Sequence, residues 1–218
     1  MDQLIFKFPF SRKYYEQDFF VSSNNFTAFR LIESWPNWSG KWLNIFGTSG
    51  SGKTHLAKIL EKKIKKIKLI NAKDINNEIV ENLSSLDCLI IDNFENNIDE
   101  KLFYSILNQS KQLENYILIN SIISIKNSKF NLKDLESRIN SFVYIGIDLP
   151  TDDLLRVIIS KSFSDKQVRI NPKISDYIIN NVERSYEKMF KFLKEVDELS
   201  LSTGKSININ LIKKVLNK

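Results

Sequence analysis

Glycine, lysine and hydroxyl residues between positions 47 and 54 are spaced for phosphate binding. The segment consists of Gly47, Thr48, Ser49, Gly50, Ser51, Gly52, Lys53 and Thr54, and this order matches the full P-loop pattern. Glycines permit close backbone approach, so that consecutive N–H groups and the start of the following helix can surround phosphate oxygens. We expect Lys53 to neutralise the β- and γ-phosphates and the Thr54 hydroxyl to bind Mg²⁺. The segment therefore predicts a nucleotide-binding site.

A carboxylate, Asp92, follows the mostly apolar run 86–91. A strand buried on both faces has little reason to end in an acid unless the acid serves a site at the carboxyl edge of the sheet. Asp92 is therefore the candidate Walker B aspartate, orienting Mg²⁺ through its water shell, with a simple turn residue as the alternative. The next residue, Asn93, can hydrogen-bond a water but cannot take its proton. This amide predicts slow hydrolysis and leaves nucleotide binding unaffected.

The elements that must position these residues alternate along the chain. Helix-period segments separate five short apolar runs, which predicts crossover units and a parallel sheet covered on both faces. The predicted strands are 42–46, 67–71, 87–91, 116–120 and 142–147, and the predicted helices are 54–65, 74–82, 99–114 and 132–140. Another helix is predicted over about 24–34, ended by Trp35-Pro36.

Beyond Pro150 the pattern changes from alternation to helix alone. Thr151 followed by two acids predicts a helix start, and three apolar stripes at helical spacing follow it. The stripes are Leu155, Ile158, Ile159 and Phe163; Tyr186, Met189, Phe190, Leu193 and Val196; and Leu211, Ile212, Val215 and Leu216. The fold predicted from the residues is an α/β domain with a five-stranded parallel sheet, followed by a small all-helical domain.

Composition limits the classes of partner. The 218 residues carry a net charge of +6, but the excess is dispersed. The one dense cluster, 61–68, is interpreted as the solvated face of a helix end, with a DNA-binding patch as the alternative. No apolar run is long enough for a membrane span, and no secretory leader is evident. The single cysteine, Cys88, lies in an apolar run and is expected to be buried and inert in a reducing cytoplasm.

The P-loop, with His55 and Leu56 directly after it, resembles the DnaA branch of AAA+ ATPases. The segment 19–21 and the helix ending at Trp35-Pro36 are similar to the entry segment of that branch. The resemblance implies ADP or ATP as the ligand, together with Mg²⁺, and it places Phe20 and Val21 beside the nucleotide. His55 is expected to serve local packing at the P-loop and no catalytic role.

Within that branch the chain is most similar to the Hda family. Full initiators carry a C-terminal DNA-binding domain, whereas this sequence ends at Lys218 after the helical lid. The resemblance implies an N-terminal arm over 1–15, an AAA+ domain over 16–150 and a lid over 151–218. It also implies that the arm binds the DNA polymerase sliding clamp, since the start of the chain is similar to a clamp-binding peptide. The residues concerned are Gln3, Leu4, Phe6 and Phe8, and an edge strand is the alternative interpretation.

Two further roles rest on the resemblance. Segment 134–138 is similar to the family segment that carries an arginine finger, so Arg138 would reach the γ-phosphate bound by a neighbouring subunit. The alternative is a surface ion pair of Arg138 with Asp134 or Glu136. Asn120, at the end of the fourth predicted strand, is the candidate sensor 1 residue, and Ser121 fits with a shift of one residue.

One position departs from the family. Where an arginine is expected early in a lid helix, the sequence has Glu187, flanked by Arg184 and Lys188. Substitution of the missing arginine by Arg184 or Lys188 is the alternative, but a carboxylate there would repel phosphates, which puts lid closure on ATP in doubt.

Taken together, the resemblance implies a cytoplasmic bacterial regulator of replication initiation. Such a protein binds adenine nucleotide and the sliding clamp, has weak or no ATPase activity of its own, and stimulates ATP hydrolysis by DnaA in trans. The alternative is a self-sufficient ATPase of the DnaA or helicase-loader type that acts without clamp binding. A small-molecule kinase and direct DNA binding are less well supported. The sequence does not decide between ADP and ATP as the bound nucleotide. It also does not decide the oligomeric state, and a homo-oligomer is one alternative.

Overall fold

The computed structural model describes residues 14–95 and 97–217. The chain divides into two compact units, Tyr14–Asp148 and the residues from Leu149 onward. The candidate clamp-binding residues Gln3, Leu4, Phe6 and Phe8 lie outside the described residues.

The first unit is built on a five-stranded parallel sheet with the strand order β2-β3-β4-β1-β5. The strands are β1 (Trp42–Phe46), β2 (Ile67–Asn71), β3 (Cys88–Phe94), β4 (Tyr116–Ser121) and β5 (Val143–Gly146). The predicted fold class, a parallel sheet flanked by helices and followed by a helical lid, is confirmed. Because the strands are parallel, the residues that follow β1, β3 and β4 meet at one edge of the sheet.

Helices cover both faces of this sheet. They are α1 (Phe26–Glu33), α2 (Lys53–Lys63), α3 (Asn77–Asn82), α4 (Glu100–Gln112) and α5 (Lys133–Ile139). Consecutive strand residues enter opposite cores, because side chains alternate along a strand. Trp42 packs in the cluster around Phe103 of α4, whereas Leu43 packs in the cluster around Leu60 of α2. Both clusters contain fully buried side chains, so the position of the P-loop is fixed by a packed core.

Several boundaries differ from the sequence prediction, and two of these differences have a local explanation. β3 continues to Phe94, so Asp92 lies within the strand and does not end it, which corrects the prediction. The pairing with β4 is irregular between Ile91 and Phe94, where Asn93 has a φ of 55°. The predicted helix α1 is present, but it begins slightly later than the expected start near Asn24. Asn25 holds the preceding turn through its side chain, accepting from Ser22 N at 2.9 Å, and the helix begins at Phe26.

The second unit contains four helices and no strand among its described residues, 149–217. They are α6 (Asp152–Ser164), α7 (Pro172–Asn181), α8 (Tyr186–Thr203) and α9 (Ile209–Leu216). The Thr151 hydroxyl caps α6 by accepting from Leu154 N at 3.3 Å. The predicted stripe on α8 contains one error, because Phe190 is 37% exposed while Phe192 is only 7% exposed and lies in the lid core. No helix in the described ranges of either unit is long and apolar enough to cross a membrane.

Candidate nucleotide-binding site

The P-loop connects β1 to α2 at the carboxyl edge of the sheet. Its glycines supply backbone conformations that L side chains rarely adopt, since φ is 81° at Gly50 and 98° at Gly52, the residue before α2. The loop is also tied to the neighbouring strand, because Gly47 N donates to the carbonyl of Ser121 at 3.2 Å. The result is a curved backbone that ends at a helix N-terminus, an arrangement suited to anions.

Lys53 lies on the inner side of this loop. Its Nζ donates to the carbonyls of Gly47 at 2.7 Å and Thr48 at 3.0 Å, and the residue is only 9% exposed. Burial lowers the pKa of Lys53 from its ordinary value, and the nearby charge of Asp92 partly opposes that shift. An anionic phosphate beside Lys53 would offset the desolvation of the ammonium group.

Three polar residues, from the first turn of α2 and from the carboxyl-terminal parts of β3 and β4, form one hydrogen-bonded group. Thr54 Oγ1 donates to Asp92 Oδ2 at 2.8 Å, and Asn120 Nδ2 donates to Asp92 Oδ1 at 2.9 Å. Asp92 is 5% exposed and Asn120 is fully buried. The structure therefore brings together three residues that the sequence proposed separately, and each carboxylate oxygen of Asp92 has a defined partner.

This group fits a magnesium–nucleotide complex. The Oδ1 atom of Asn120 is buried and has no hydrogen-bond partner among the described residues, and such an acceptor costs about 1–3 kcal/mol when left unpaired. The hydroxyl of Thr54 and the carboxylate of Asp92 are the oxygen donors that Mg²⁺ prefers. The described ranges contain no group of three or more His, Cys, Asp and Glu side chains suited to a metal. A cation here would therefore rely on one or two protein oxygens together with phosphate and water, as is common for Mg²⁺.

Asn93 is set apart from this group. It is exposed, and its φ of 55° is the left-handed conformation that asparagine tolerates better than most residues. The residue thus occupies the irregular position of β3, while Asp92 keeps its pairing opposite Asn71.

The segment preceding α1 contacts the P-loop through Phe19. A Cβ atom at Gly52 would lie 2.9 Å from Cε2 of Phe19, and the Phe19 ring stacks on Phe29 with centroids 5.6 Å apart. Phe20 and Val21 are the residues of this segment predicted to lie beside the nucleotide. Phe20 is 43% exposed and its carbonyl accepts from Asn25 Nδ2 at 2.9 Å, while Val21 is half-buried. Phe19 was missed as the loop contact, and its sequence signal was only the local density of aromatic residues.

His55 packs against the same segment. Its Nε2 lies 2.7 Å from the carbonyl oxygen of Tyr15, and its ring meets those of Tyr14 and Phe19 edge-on, each at 5.3 Å. His55 therefore links the start of α2 to the chain that precedes α1.

Arg138 lies in the last turn of α5. Its Nη2 donates to Oδ1 of Asn108 on α4 at 2.7 Å, and in the described part of the chain it forms no ion pair with Asp134 or Glu136. The structure does not bring Arg138 into the Thr54–Asp92–Asn120 group. A role on the nucleotide of another subunit is compatible with this separation.

A buried polar network that the sequence analysis missed supports the end of β4. Asn44, fully buried in β1, donates through Nδ2 to Ser121 Oγ at 2.9 Å and accepts from Ile125 N at 3.0 Å. Ser121 Oγ in turn donates to the carbonyl of Ile123 at 2.6 Å. The available signal was an amide in the middle of an otherwise apolar strand. Ser121, the alternative sensor 1 residue, is thus engaged in holding the loop.

In the lid unit, Glu187 is exposed in the first turn of α8. Arg184, just before that helix, donates to Asp152 Oδ1 at 2.5 Å. Both observations concern contacts within the lid.

Comparison with known proteins identifies relatives of both units. Residues 152–216 match the family model described as Hda, lid domain, and residues 43–135 match a model described as RNA helicase. The chromosomal replication initiator protein DnaA of Buchnera aphidicola subsp. Cinara cedri (strain Cc) is 23% identical over 237 residues. The match covers 95% of this chain and 53% of the initiator, so the chain spans about half the length of that relative.

Solved structures show the same architecture. Domain III of the Thermotoga maritima replication initiation protein DnaA superposes with a TM-score of 0.76 at 17% identity, covering 96% of this chain and 98% of that one. AMPPCP-bound DnaA from Aquifex aeolicus superposes with a TM-score of 0.68 at 20% identity, covering 88% of this chain and 67% of that one. The fold is therefore that of the DnaA-type AAA+ module.

Proposed function

We propose that this chain, a DnaA-type AAA+ protein with a lid domain of the Hda family, is a nucleotide-binding regulator of replication initiation. It binds ADP or ATP with Mg²⁺ and stimulates ATP hydrolysis by the initiator DnaA in trans. The sliding clamp of DNA polymerase is its second partner, engaged through Gln3, Leu4, Phe6 and Phe8. The protein acts in the cytoplasm.

The observation that carries the proposal is the pairing of an Hda-type lid with a phosphate site built for binding. Thr54, Asp92 and Asn120 are joined by hydrogen bonds, and Lys53, which donates to the P-loop carbonyl of Gly47, is buried like Asp92 and Asn120. The position next to Asp92, however, holds an exposed amide in a left-handed conformation. Because this side chain is exposed and lies outside the hydrogen-bonded group, it does not take a proton from the attacking water, and the bound nucleotide acts mainly as a structural ligand.

In this proposal each residue of the site has a separate role. The P-loop backbone and Lys53 hold the phosphates, and Thr54 and Asp92 hold Mg²⁺, which shields phosphate charge. The amide of Asn120 keeps the Asp92 carboxylate oriented. Arg138 stabilises the charge that develops on the γ-phosphate bound by the partner, the role of an arginine finger.

The test of the trans activity is phosphate release from ATP-bound DnaA, measured with clamp loaded on DNA. The Arg138→Ala variant should lose most of the stimulation, on the order of 10³-fold for an arginine finger, while nucleotide affinity stays unchanged. Arg156→Ala, which removes an exposed arginine of the lid paired with Asp153 and Asp176, is the matched control. Undiminished stimulation by the Arg138 variant would rule out the finger.

Retention on the sliding clamp tests the second partner. The triple variant Gln3→Ala, Phe6→Ala, Phe8→Ala should lose retention while keeping nucleotide binding, because the substituted residues belong to the proposed clamp peptide alone. Equal retention of the triple variant would favour the alternative, a self-sufficient ATPase of the helicase-loader type. That alternative also predicts appreciable intrinsic turnover that depends on Asp92.

A further inference from the structure

Arg138 uses one of its hydrogen-bond donors within the described chain. Its Nη2 donates to Asn108 Oδ1 at 2.7 Å, whereas a guanidinium group carries five N–H donors in a planar fork. Both residues are half-buried. This bond therefore restricts the orientation of the guanidinium group and leaves its other donors for a second acceptor.

The acceptor on Arg138 is neutral, which distinguishes it from two other arginines. Arg156 donates to Asp153 and Asp176, and Arg184 donates to Asp152. A carboxylate partner offsets the positive charge of a guanidinium group, whereas an amide oxygen orients the group without doing so. The positive charge of Arg138 is thus not offset by a carboxylate, while the orientation of its guanidinium group is restricted.

Asn108 belongs to a helix that is packed against the sheet. It lies on α4, where the neighbouring residues Ile106 and Leu107 are fully buried in the sheet core. The first residue of the same helix, Glu100, accepts from the backbone N–H groups of Asn131 at 2.9 Å and Leu132 at 2.8 Å, directly before α5 begins. Helix α4 therefore fixes both the start of α5 and the side chain in its last turn.

We infer that Asn108 is a positioning residue for Arg138, an inference that rests on the proposed function. Asn108 orients the guanidinium group through Nη2 and leaves the remaining N–H groups for the phosphate oxygens of the partner's nucleotide. Without this bond the long side chain samples many rotamers, and the correct one must be selected during each encounter.

The first test is the Asn108→Ala variant in the DnaA phosphate-release assay. Removing one neutral hydrogen bond should reduce the maximal stimulated rate by about threefold to tenfold. The concentration of this protein that gives half-maximal stimulation should not change, since Asn108 acts on the transition state and not on docking. Gln109→Ala, also half-buried on α4, is the control and should behave as the wild type. A wild-type rate for Asn108→Ala overturns the inference.

The second test separates positioning from a structural role. Asn108→Asp preserves the size of the side chain and its acceptor oxygen, so a residue needed only for packing would tolerate the change. If Asn108 positions a charged finger, the new carboxylate pairs with Arg138 and lowers the maximal rate at least as much as Asn108→Ala. Added salt should restore part of that loss, because screening weakens the pair. A wild-type rate for Asn108→Asp contradicts the inference.

The failure of this inference and the failure of the proposed function give different results. If Arg138→Ala leaves stimulation intact, the proposed function fails. If Arg138→Ala abolishes stimulation while both Asn108 variants are as active as the wild type, only the positioning role fails. In an Arg138→Lys background the effect of Asn108→Ala should shrink, because lysine lacks the planar fork. An undiminished effect there would mean that Asn108 acts independently of Arg138.

Discussion

The Phe19 ring lies so close to the α-carbon of Gly52 that a Cβ at position 52 would come within 2.9 Å of Cε2. Gly52 also has a φ of 98°. The segment before α1 and the phosphate loop are thus packed together at a position where two independent constraints require glycine.

Gly52→Ala should therefore destabilise the sheet unit by about 1–3 kcal/mol through backbone strain and weaken nucleotide binding at least tenfold. Denaturant unfolding followed by tryptophan fluorescence measures the first effect, since Trp35, Trp38 and Trp42 all belong to this unit. Titration calorimetry measures the second. Gly204→Ala is the control, because Gly204 has a φ of 64° but nothing within 4 Å of an added Cβ, and that variant should keep full nucleotide affinity.

The carboxylate of Asp92 accepts one hydrogen bond on each oxygen, from Thr54 and Asn120. In Asp92→Asn, the new side-chain NH2 group faces one of these two hydrogen-bond donors, and the negative charge of the carboxylate is lost. The variant should lose the part of the nucleotide affinity that depends on Mg²⁺, while the affinity measured with EDTA changes little. Asp87→Asn, at an exposed residue directly before the start of β3, should match the wild type in both conditions. An unchanged Mg²⁺ dependence in Asp92→Asn would remove Asp92 from the cation site.

Position 93 has an exposed side chain on left-handed backbone, so an acid introduced there lies away from the buried group. Asn93→Glu should not raise intrinsic ATP hydrolysis and should lose about 1 kcal/mol of stability, because glutamate tolerates positive φ poorly. Asn93→Gly should be as stable as the wild type or slightly more so. Phosphate release and unfolding midpoints decide both points. A gain in turnover for Asn93→Glu contradicts the structural explanation.

Glu100 links pH to the stability of the sheet unit. Backbone hydrogen bonds, first from Asn131 and then from Leu132, hold the pKa of Glu100 below its ordinary value. A lowered carboxyl pKa contributes stability above the unfolded pKa of about 4.3 and loses it as pH falls through the folded pKa.

Glu100→Gln should therefore unfold at a lower temperature than the wild type at pH 7, and the difference should disappear as the pH falls from 7 to below the lowered pKa of Glu100 in the folded protein. Thermal unfolding followed by tryptophan fluorescence across that range provides the measurement. Glu136→Gln, an exposed glutamate on α5, serves as the matched control and should follow the wild-type curve. Parallel curves for Glu100→Gln and wild type at every pH would contradict the assigned contribution.

Much of the sheet could be predicted because the signals for its strands lie in the local sequence. Strands β1 and β2 have the predicted bounds, since each is a short apolar run between turn or helix signals. Asp92 and Asn120 could be placed at one edge of the sheet from strand direction alone. Their direct hydrogen bond could not, since it depends on β3 and β4 being neighbours, which the strand order decides.

Other features depend on tertiary contacts that leave weak traces in the sequence. The irregularity at Asn93 extends β3 past its predicted end. The contact of Phe19 with Gly52 joins segments that are far apart in the chain, and aromatic density near the N-terminus does not specify which ring makes it. Phe190 and Phe192 on α8 fit helical patterns almost equally well, and only packing within the lid selects Phe192 for the core.

The amide network around Asn44 has a consequence for hydrogen exchange. The N–H of Ile125 donates to the side chain of Asn44, which is itself fully buried in the interior strand β1. Solvent can reach that proton only when the sheet opens, so its exchange should report the global free energy of unfolding and not a local loop motion. Ile122 and Ile123 are exposed and lie in the surface loop that this hydrogen bond holds at its base. The N–H group at that base is therefore expected to exchange as slowly as the N–H groups of the core.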